Sequence, residues 1–448
     1  MKLQKTICAC IMLLLPFHGA PQAGHCETKQ LINGKVYRLR VQNDSLRFNH
    51  AWYSLFVPDG MKIKGALIHQ HGCTMEGLGA STAHDIQYQA LAKKWGLVII
   101  APDLYPNPRA GCNEWRNPED GSAMALLEAI DRVAELSGHP EFKTAPWLLW
   151  GHSGGGYWVL AMMRQYPERI LGVTAYSPAF NPQWDYSGEA LKIPLLIRHA
   201  GAGDLNGPNV RCWETAINTF GKLREKDAPV AIAHTPGETH NLSYLRYMTV
   251  PFFEAILKQR LPDKTGDPLK DIDPSLSWVG DTLTHQVYES STFSGDKKGM
   301  SVLPDSVSAL AWQEYVSTNT VVDKTAPFAP HSLKWVDNDS VMTLHWQADA
   351  DIESGIHHFN IYKNNRLIGR FPATEEYQTF DTNADNALPD SVPCMHYPVK
   401  RNEVKRRDTY AVSTVNHFNQ ESPRSHILYA LLDKAIFSPV FTFRGDIK

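Results

Sequence analysis

Residues 145–156 read APWLLWGHSGGG, and the rest of the chain can be placed around them. Trp147, Leu148, Leu149 and Trp150 form an apolar run bounded by turn residues, the pattern of a short strand buried on both faces. The segment from Tyr157 to Tyr166 has the spacing of a helix. Between them lies Gly151-His152-Ser153-Gly154-Gly155, a G-x-S-x-G turn. Small residues flank the serine because a strained strand-to-helix turn lifts its oxygen clear of the sheet, and larger side chains there would strike neighbouring backbone. The N–H of Gly154 then points to where an oxyanion would form, at the positive end of a helix. A bare G-x-S-x-G is common among turns; strand, turn and helix in succession make it specific.

Upstream, 36–57 holds two opening strands of a hairpin, and KGALIHQ (64–70) is a further apolar strand ending in His71-Gly72-Cys73-Thr74. An amphipathic helix from His84 to Trp95 stops at Gly96, and LVIIA (97–101) is another buried strand. An irregular loop, YPNPRAGCNEWRNPEDG (105–121), precedes a helix from Ser122 to Leu136. That loop belongs at the carboxyl end of the sheet, where open α/β folds place their sites. Downstream come strands at 171–175, 193–198 and 230–234, with helices at 209–223 and 242–259. Strands alternating with helices predict a mostly parallel, three-layer α/β sheet. Two polar residues fall in loops just past core strands, Asp204 after IPLLIRHAGAG and His240 in PGETHN. Ser153, Asp204, His240 is the order in which the α/β-hydrolase triad runs along a chain. His234 ends a strand and reads as a core or edge histidine, whereas His240 sits where a base can reach Ser153. An unperturbed histidine base puts the rise of activity with pH near about 6.5.

At 448 residues, with 43% hydrophobic and 20% charged residues, the chain has ordinary globular composition and room for two or three domains. A net charge of −3 with both signs interspersed supplies no basic field for nucleic acid or an anionic membrane. Residues 1–23 combine Lys2 and Lys5, an apolar run from Ile7 to Phe17 and small residues at Gly19, Ala20 and Ala23. That is the form of a secretory signal peptide, so the chain is expected to be secreted or periplasmic. No run is long enough to span a bilayer, and His25 does not suit a lipid-attachment site at Cys26. Five cysteines follow the leader, Cys26, Cys73, Cys112, Cys212 and Cys394, an odd number in a disulfide-permissive compartment.

HGCT at 71–74, followed by Cys112 and Trp115 in the long loop, resembles the secreted polyhydroxybutyrate depolymerase and feruloyl esterase-type enzymes within the α/β-hydrolase fold. The resemblance covers roughly 35–260. It implies Ser153 as nucleophile, His240 as general base, Asp204 as the acid that orients it, and the N–H groups of Cys73 and Gly154 as the oxyanion hole. It also implies a Cys73–Cys112 disulfide and an ester substrate, polymeric esters included, with no cofactor. Trp115 is the candidate substrate-binding residue, while Trp158 reads as core. His69, His71 and His199 lie at strand ends without a ligand set of standard spacing, so no metal site is expected.

The resulting division is a catalytic domain at 24–261, a connector at 262–325 with a short helix near 306–316, and a C-terminal domain at 326–448. From Thr325 the pattern becomes period two: SLKWV, SVMTLHWQA, HHFNIYKNNRLIGRF and TYAVSTVN, with a hairpin turn at Asn364-Asn365. Trp346, Tyr362 and Tyr410 on these strands resemble a fibronectin type III β-sandwich. Asp349, Asp351 and Glu353 read as an acidic turn between strands. The expected activity is ester hydrolysis. A peptidase on the same fold, or a polymer-binding protein with an inert hydrolase scaffold, are the alternatives that the residues leave open.

Overall fold

The apolar runs of the first half lie side by side in one nine-stranded sheet. In the computed structural model, which describes residues 26–430 apart from 32, 182–183, 206–210, 236–237, 241–244, 339–340, 375 and 378–394, these are β1 (Cys26–Gln30), β2 (Gly34–Val41), β3 (His50–Pro58), β4 (Gly65–Gln70), β5 (Leu97–Tyr105), β6 (Trp147–His152), β7 (Ile170–Tyr176), β8 (Leu195–His199) and β9 (Val230–His234). The leader read at 1–23, Cys394 and everything past 430 lie outside the described residues. The strand order is β1-β2-β3-β5-β4-β6-β7-β8-β9. The first three strands and β5 pair antiparallel, and β5, β4 and β6 to β9 pair parallel. This mixed sheet matches the α/β-hydrolase fold. β6 is central and buried throughout, as its unbroken apolar run requires. β1 has no counterpart in the sequence reading, since CETKQ is polar and only pairs with the edge of β2.

Helices α1 (Ile86–Trp95), α2 (Ser122–Ser137), α3 (Gly154–Gln165), α4 (Cys212–Glu225) and α5 (Arg246–Arg260) cover the two faces. α2, α3 and α4 bury Leu126, Trp158, Met162 and Leu223 on one face. α1 and α5 bury Tyr88, Leu91, Phe253 and Ile256 on the other. α1 starts two residues later than its periodicity suggests, because Asp85 accepts the N–H groups of Gln87 and Tyr88 and so caps the first turn.

The connector joins this core. A small sheet of β10 (Trp278–Gly280), β11 (Val287–Glu289) and β12 (Ser301–Leu303) leads into α6 (Ser306–Thr318). α6 buries Trp312 and Tyr315 with α5, and Trp312 Nε1–H donates to the Ile232 carbonyl of β9 at 2.9 Å.

Beyond it are two antiparallel sheets. One holds β13 (His331–Asn338), β14 (Val341–Gln347) and β17 (His396–Lys400); the other holds β15 (His358–Lys363), β16 (Arg366–Phe371), β18 (Thr409–Val415) and β19 (Leu428–Tyr429). Leu344 and Trp346 of the first share one apolar cluster with Phe359, Ile361, Tyr410 and Val412 of the second. Asn364 and Asn365 both take left-handed φ, 51° and 64°, between β15 and β16, the conformation a two-residue hairpin turn demands. The acidic stretch after β14 is a turn, at 352–354, with Glu353 exposed and one carboxylate withdrawn from water. Asp351 is buried, and Asn416 Nδ2 donates to its Oδ2 at 3.0 Å and to Asp323 Oδ2 at 2.9 Å.

Candidate active site

Ser153 stands between β6 and α3 with φ 53° and ψ −112°, a conformation outside the ordinary regions for a residue with a side chain. Such backbone costs of order 1–3 kcal/mol and persists only where its surroundings enforce it. Three hydrogen bonds do so here. Ser153 N–H donates to the Tyr176 carbonyl at 2.9 Å, and the Ser153 carbonyl accepts from Tyr157 at 3.0 Å and Ala179 at 2.8 Å. The glycines around it are demanded by close approach. A Cβ at Gly151 would lie 2.2 Å from the Gly155 carbonyl oxygen, and one at Gly155 would lie 2.3 Å from that of Gln70.

The Cys73–Cys112 disulfide is present, with Cα atoms 5.3 Å apart. It lies against the elbow: a Cβ at Gly154 would meet Cys73 Sγ at 2.3 Å and the Cys73 backbone nitrogen at 3.4 Å. The bridge and the start of α3 therefore bring the Cys73 and Gly154 backbones together. Cys26 and Cys212 are free thiols, and burial pushes Cys212 up to about 12, which makes it inert at neutral pH.

Asp204 and His240 meet directly. His240 Nδ1 and Asp204 Oδ1 are 2.9 Å apart, and both residues are buried. A carboxylate only accepts, so Nδ1 carries the proton and Nε2 keeps its lone pair. That Nε2 is buried and has no hydrogen-bond partner among the described residues. Asp204 also accepts from the Ala200 N–H at 2.7 Å, and the Ser177 hydroxyl favours its charged form. Burial opposes its ionisation, but the bonds from His240, Ala200 and Ser177 outweigh burial and hold its carboxyl below the usual range. Burial likewise lowers the His240 pKa; Asp204 pulls it back up, and His152 and Arg198 push it down, leaving it below its ordinary value.

Two supporting residues were not foreseen. His152 Nε2–H donates to the His240 carbonyl at 2.8 Å, so the residue beside the serine fixes the loop of the histidine. Arg198, fully buried on β8, donates to Ser177 Oγ at 3.1 Å and the Thr239 carbonyl at 3.3 Å. An arginine inside the apolar run IPLLIRHA was the visible signal, since a buried charge needs polar partners.

Trp115, read as the candidate substrate-binding residue, offers no exposed surface to a substrate. Trp115 is fully buried and packs edge-on against His71 at 5.1 Å between ring centres. His71 in turn accepts the Leu104 N–H at Nε2, 3.0 Å away, so Trp115 braces the floor under the HG turn. Trp158 is core, as read, with Nε1–H on Ser122 Oγ at 2.9 Å. His69 stacks on Trp150, and His234 stacks on His199. Among the described residues no cluster of three or more His, Cys, Asp or Glu side chains is placed to hold a metal, and no helix is long and apolar enough to cross a membrane.

No protein-family model matches this chain, and neither does any curated protein sequence. Solved structures do resemble it. An S-formylglutathione hydrolase from Agrobacterium tumefaciens is 16% identical over 48% of this chain and 91% of its own, with a TM-score of 0.35. A poly(3-hydroxybutyrate) depolymerase from Bordetella parapertussis is 18% identical over 54% and 92%, with a TM-score of 0.35. A ferulic acid esterase is 13% identical over 47% and 93%, with a TM-score of 0.36.

Proposed function

We infer that the chain is a serine hydrolase that cleaves carboxylic esters through an acyl-enzyme. The observation that supports this reading is the buried Asp204–His240 pair, 2.9 Å apart with Nε2 unpartnered among the described residues, on a loop held by His152, the residue before the strained serine of the elbow. In the first half-reaction His240 Nε2 takes the Ser153 hydroxyl proton as Oγ bonds to the ester carbonyl carbon. The oxygen of the tetrahedral adduct gains a negative charge, which the N–H groups of Cys73 and Gly154 stabilise. Collapse breaks the bond to the alcohol, and His240 returns the proton to it as it leaves. Water repeats the sequence on the acyl-serine, releasing the acid and restoring Ser153. Asp204 fixes the imidazole tautomer and stabilises the imidazolium. No cofactor enters.

The same reading takes 1–23 as a cleaved leader and the protein as exported, which suits the disulfide. It takes the two C-terminal sheets as a fibronectin type III-like sandwich. The test is turnover of p-nitrophenyl butyrate by the mature chain. Ser153→Ala should fall to background with an unchanged thermal midpoint; wild-type turnover in that variant would remove Ser153 as the nucleophile.

A further inference from the structure

Next to the elbow, arginines stack on aromatic rings. The Arg116 N–H donates to the Cys112 carbonyl at 2.9 Å, so the bridge that braces Cys73 also fixes Arg116. Its guanidinium carbon lies 4.6 Å from the centre of the Tyr157 ring. Tyr157 is in the first turn of α3, bound through its N–H to the Ser153 carbonyl, and four residues of helix place its Cα about 6 Å along the axis from the serine. The Tyr157 ring meets Trp184 edge-on at 4.6 Å. A second pair starts from Ala179, the other donor to the Ser153 carbonyl: the next residue, Phe180, is 38% exposed, with Arg211 stacked on it at 4.3 Å.

Arg116 differs from an ordinary surface arginine in two ways. It is half-buried, and burial pulls its pKa down, with only Tyr157 and Cys212 acting against that. It also forms no ion pair with a carboxylate among the described residues, whereas Arg211 is held by Glu214 at 2.5 Å. A cation partly withdrawn from water without a counter-ion is unfavourable until an anion reaches it. A guanidinium stacked by its face on a ring keeps its N–H edge free, and that edge matches a carboxylate in two-point geometry.

We propose that Arg116, held on Tyr157, is an anion subsite of the active site and binds a free carboxylate carried by the ester substrate. This rests on the ester-hydrolase reading above. The substrate class it selects is the acid-bearing ester, a half-ester of a dicarboxylic acid or an acid-terminated oligoester, in preference to a fully neutral one. Trp184, edge-on to the Tyr157 ring, supplies further aromatic surface on that side.

The experiment compares monomethyl with dimethyl esters of succinic, adipic and suberic acids on the mature chain, following acid release at constant pH. For at least one chain length the monoester should have the higher kcat/KM. Arg116→Met should reduce the monoester-to-diester ratio by about tenfold or more, mainly through KM, as expected for loss of a hydrogen-bonded charge pair. Arg116→Lys, which keeps the charge, should retain part of the ratio. A ratio that is the same in wild type and Arg116→Met at all three lengths would overturn the subsite while leaving the hydrolase intact. If neither ester turns over, calorimetric binding of the same pair decides. Monoester-selective binding lost in Arg116→Met supports the anion site and equal binding of the two esters overturns it, while the hydrolase reading stands or falls separately on p-nitrophenyl butyrate.

Discussion

In the proposed mechanism His240 serves as the base only while neutral, and its neighbours set the pH at which that holds. Burial, His152 and Arg198 disfavour the imidazolium more than Asp204 favours it, so the pKa lies below the ordinary histidine value. The acid limb of kcat/KM should therefore have its midpoint below about 6.5. A pH profile of ester hydrolysis checks this, and a midpoint above about 7 would contradict it. The meeting of Asp204 with His240 and the strained turn at Ser153 were legible at this scale because each of these residues sits just past an apolar strand. Ser177 and Arg198 were not: their contact depends on the β7–β8 register, which pairs Tyr176 with Arg198. Trp115 was misread because its burial depends on His71, forty-odd positions earlier, and no local pattern encodes that contact.

At the level of elements, the elbow and the disulfide form one unit, since the first turn of α3 is in contact with Cys73 Sγ. The bridge closes a loop of 39 residues. In the chain-entropy account such a loop contributes about 3–4 kcal/mol. Cys73→Ser and Cys112→Ser should each lower the thermal midpoint under oxidising conditions and raise KM more than they lower kcat, because the backbone N–H at 73 remains. Thermal midpoints indistinguishable from wild type would contradict this. The parallel strands were legible as unbroken apolar runs, since strands covered by helices on both faces have no polar side to alternate. Helix starts were harder: Asp85 ahead of α1 acts as a cap through its side chain, and periodicity alone extends the helix past it.

Over the whole molecule, the C-terminal sheets are fastened to the α/β core at its helices. Gln87 Nε2–H of α1 donates to the Ile352 carbonyl at 2.7 Å, Lys93 pairs with Asp349 at 3.4 Å, and Tyr247 of α5 meets Phe418 at 5.6 Å between ring centres. Behind this seam burial, the Glu353 side chain and the Asp323 charge push the Asp351 carboxyl up to about 8. A folded-state pKa above the unfolded value means that the folded chain holds that proton more tightly. The associated stability is full below about 4 and is lost as pH rises towards about 8. Asp351→Asn keeps an acceptor for the Glu353 N–H and cannot ionise. It should flatten the fall of the thermal midpoint over that range and be the more stable form at its alkaline end. Parallel pH slopes for the two proteins would contradict this. The seam was not legible, because the partner of Asp351 is Asn416, 65 positions later, and nothing local in the acidic turn between β14 and β15 marks Asp351 as its buried member.

Whether Ser153 is a nucleophile activated by His240 is tested most directly by covalent labelling with a fluorophosphonate ester. Intact mass should show one adduct per mature chain, and peptide mapping should place it on Ser153. Labelling should disappear in Ser153→Ala and slow sharply in His240→Gln. An adduct on another residue, or no adduct on the folded protein, would contradict the account.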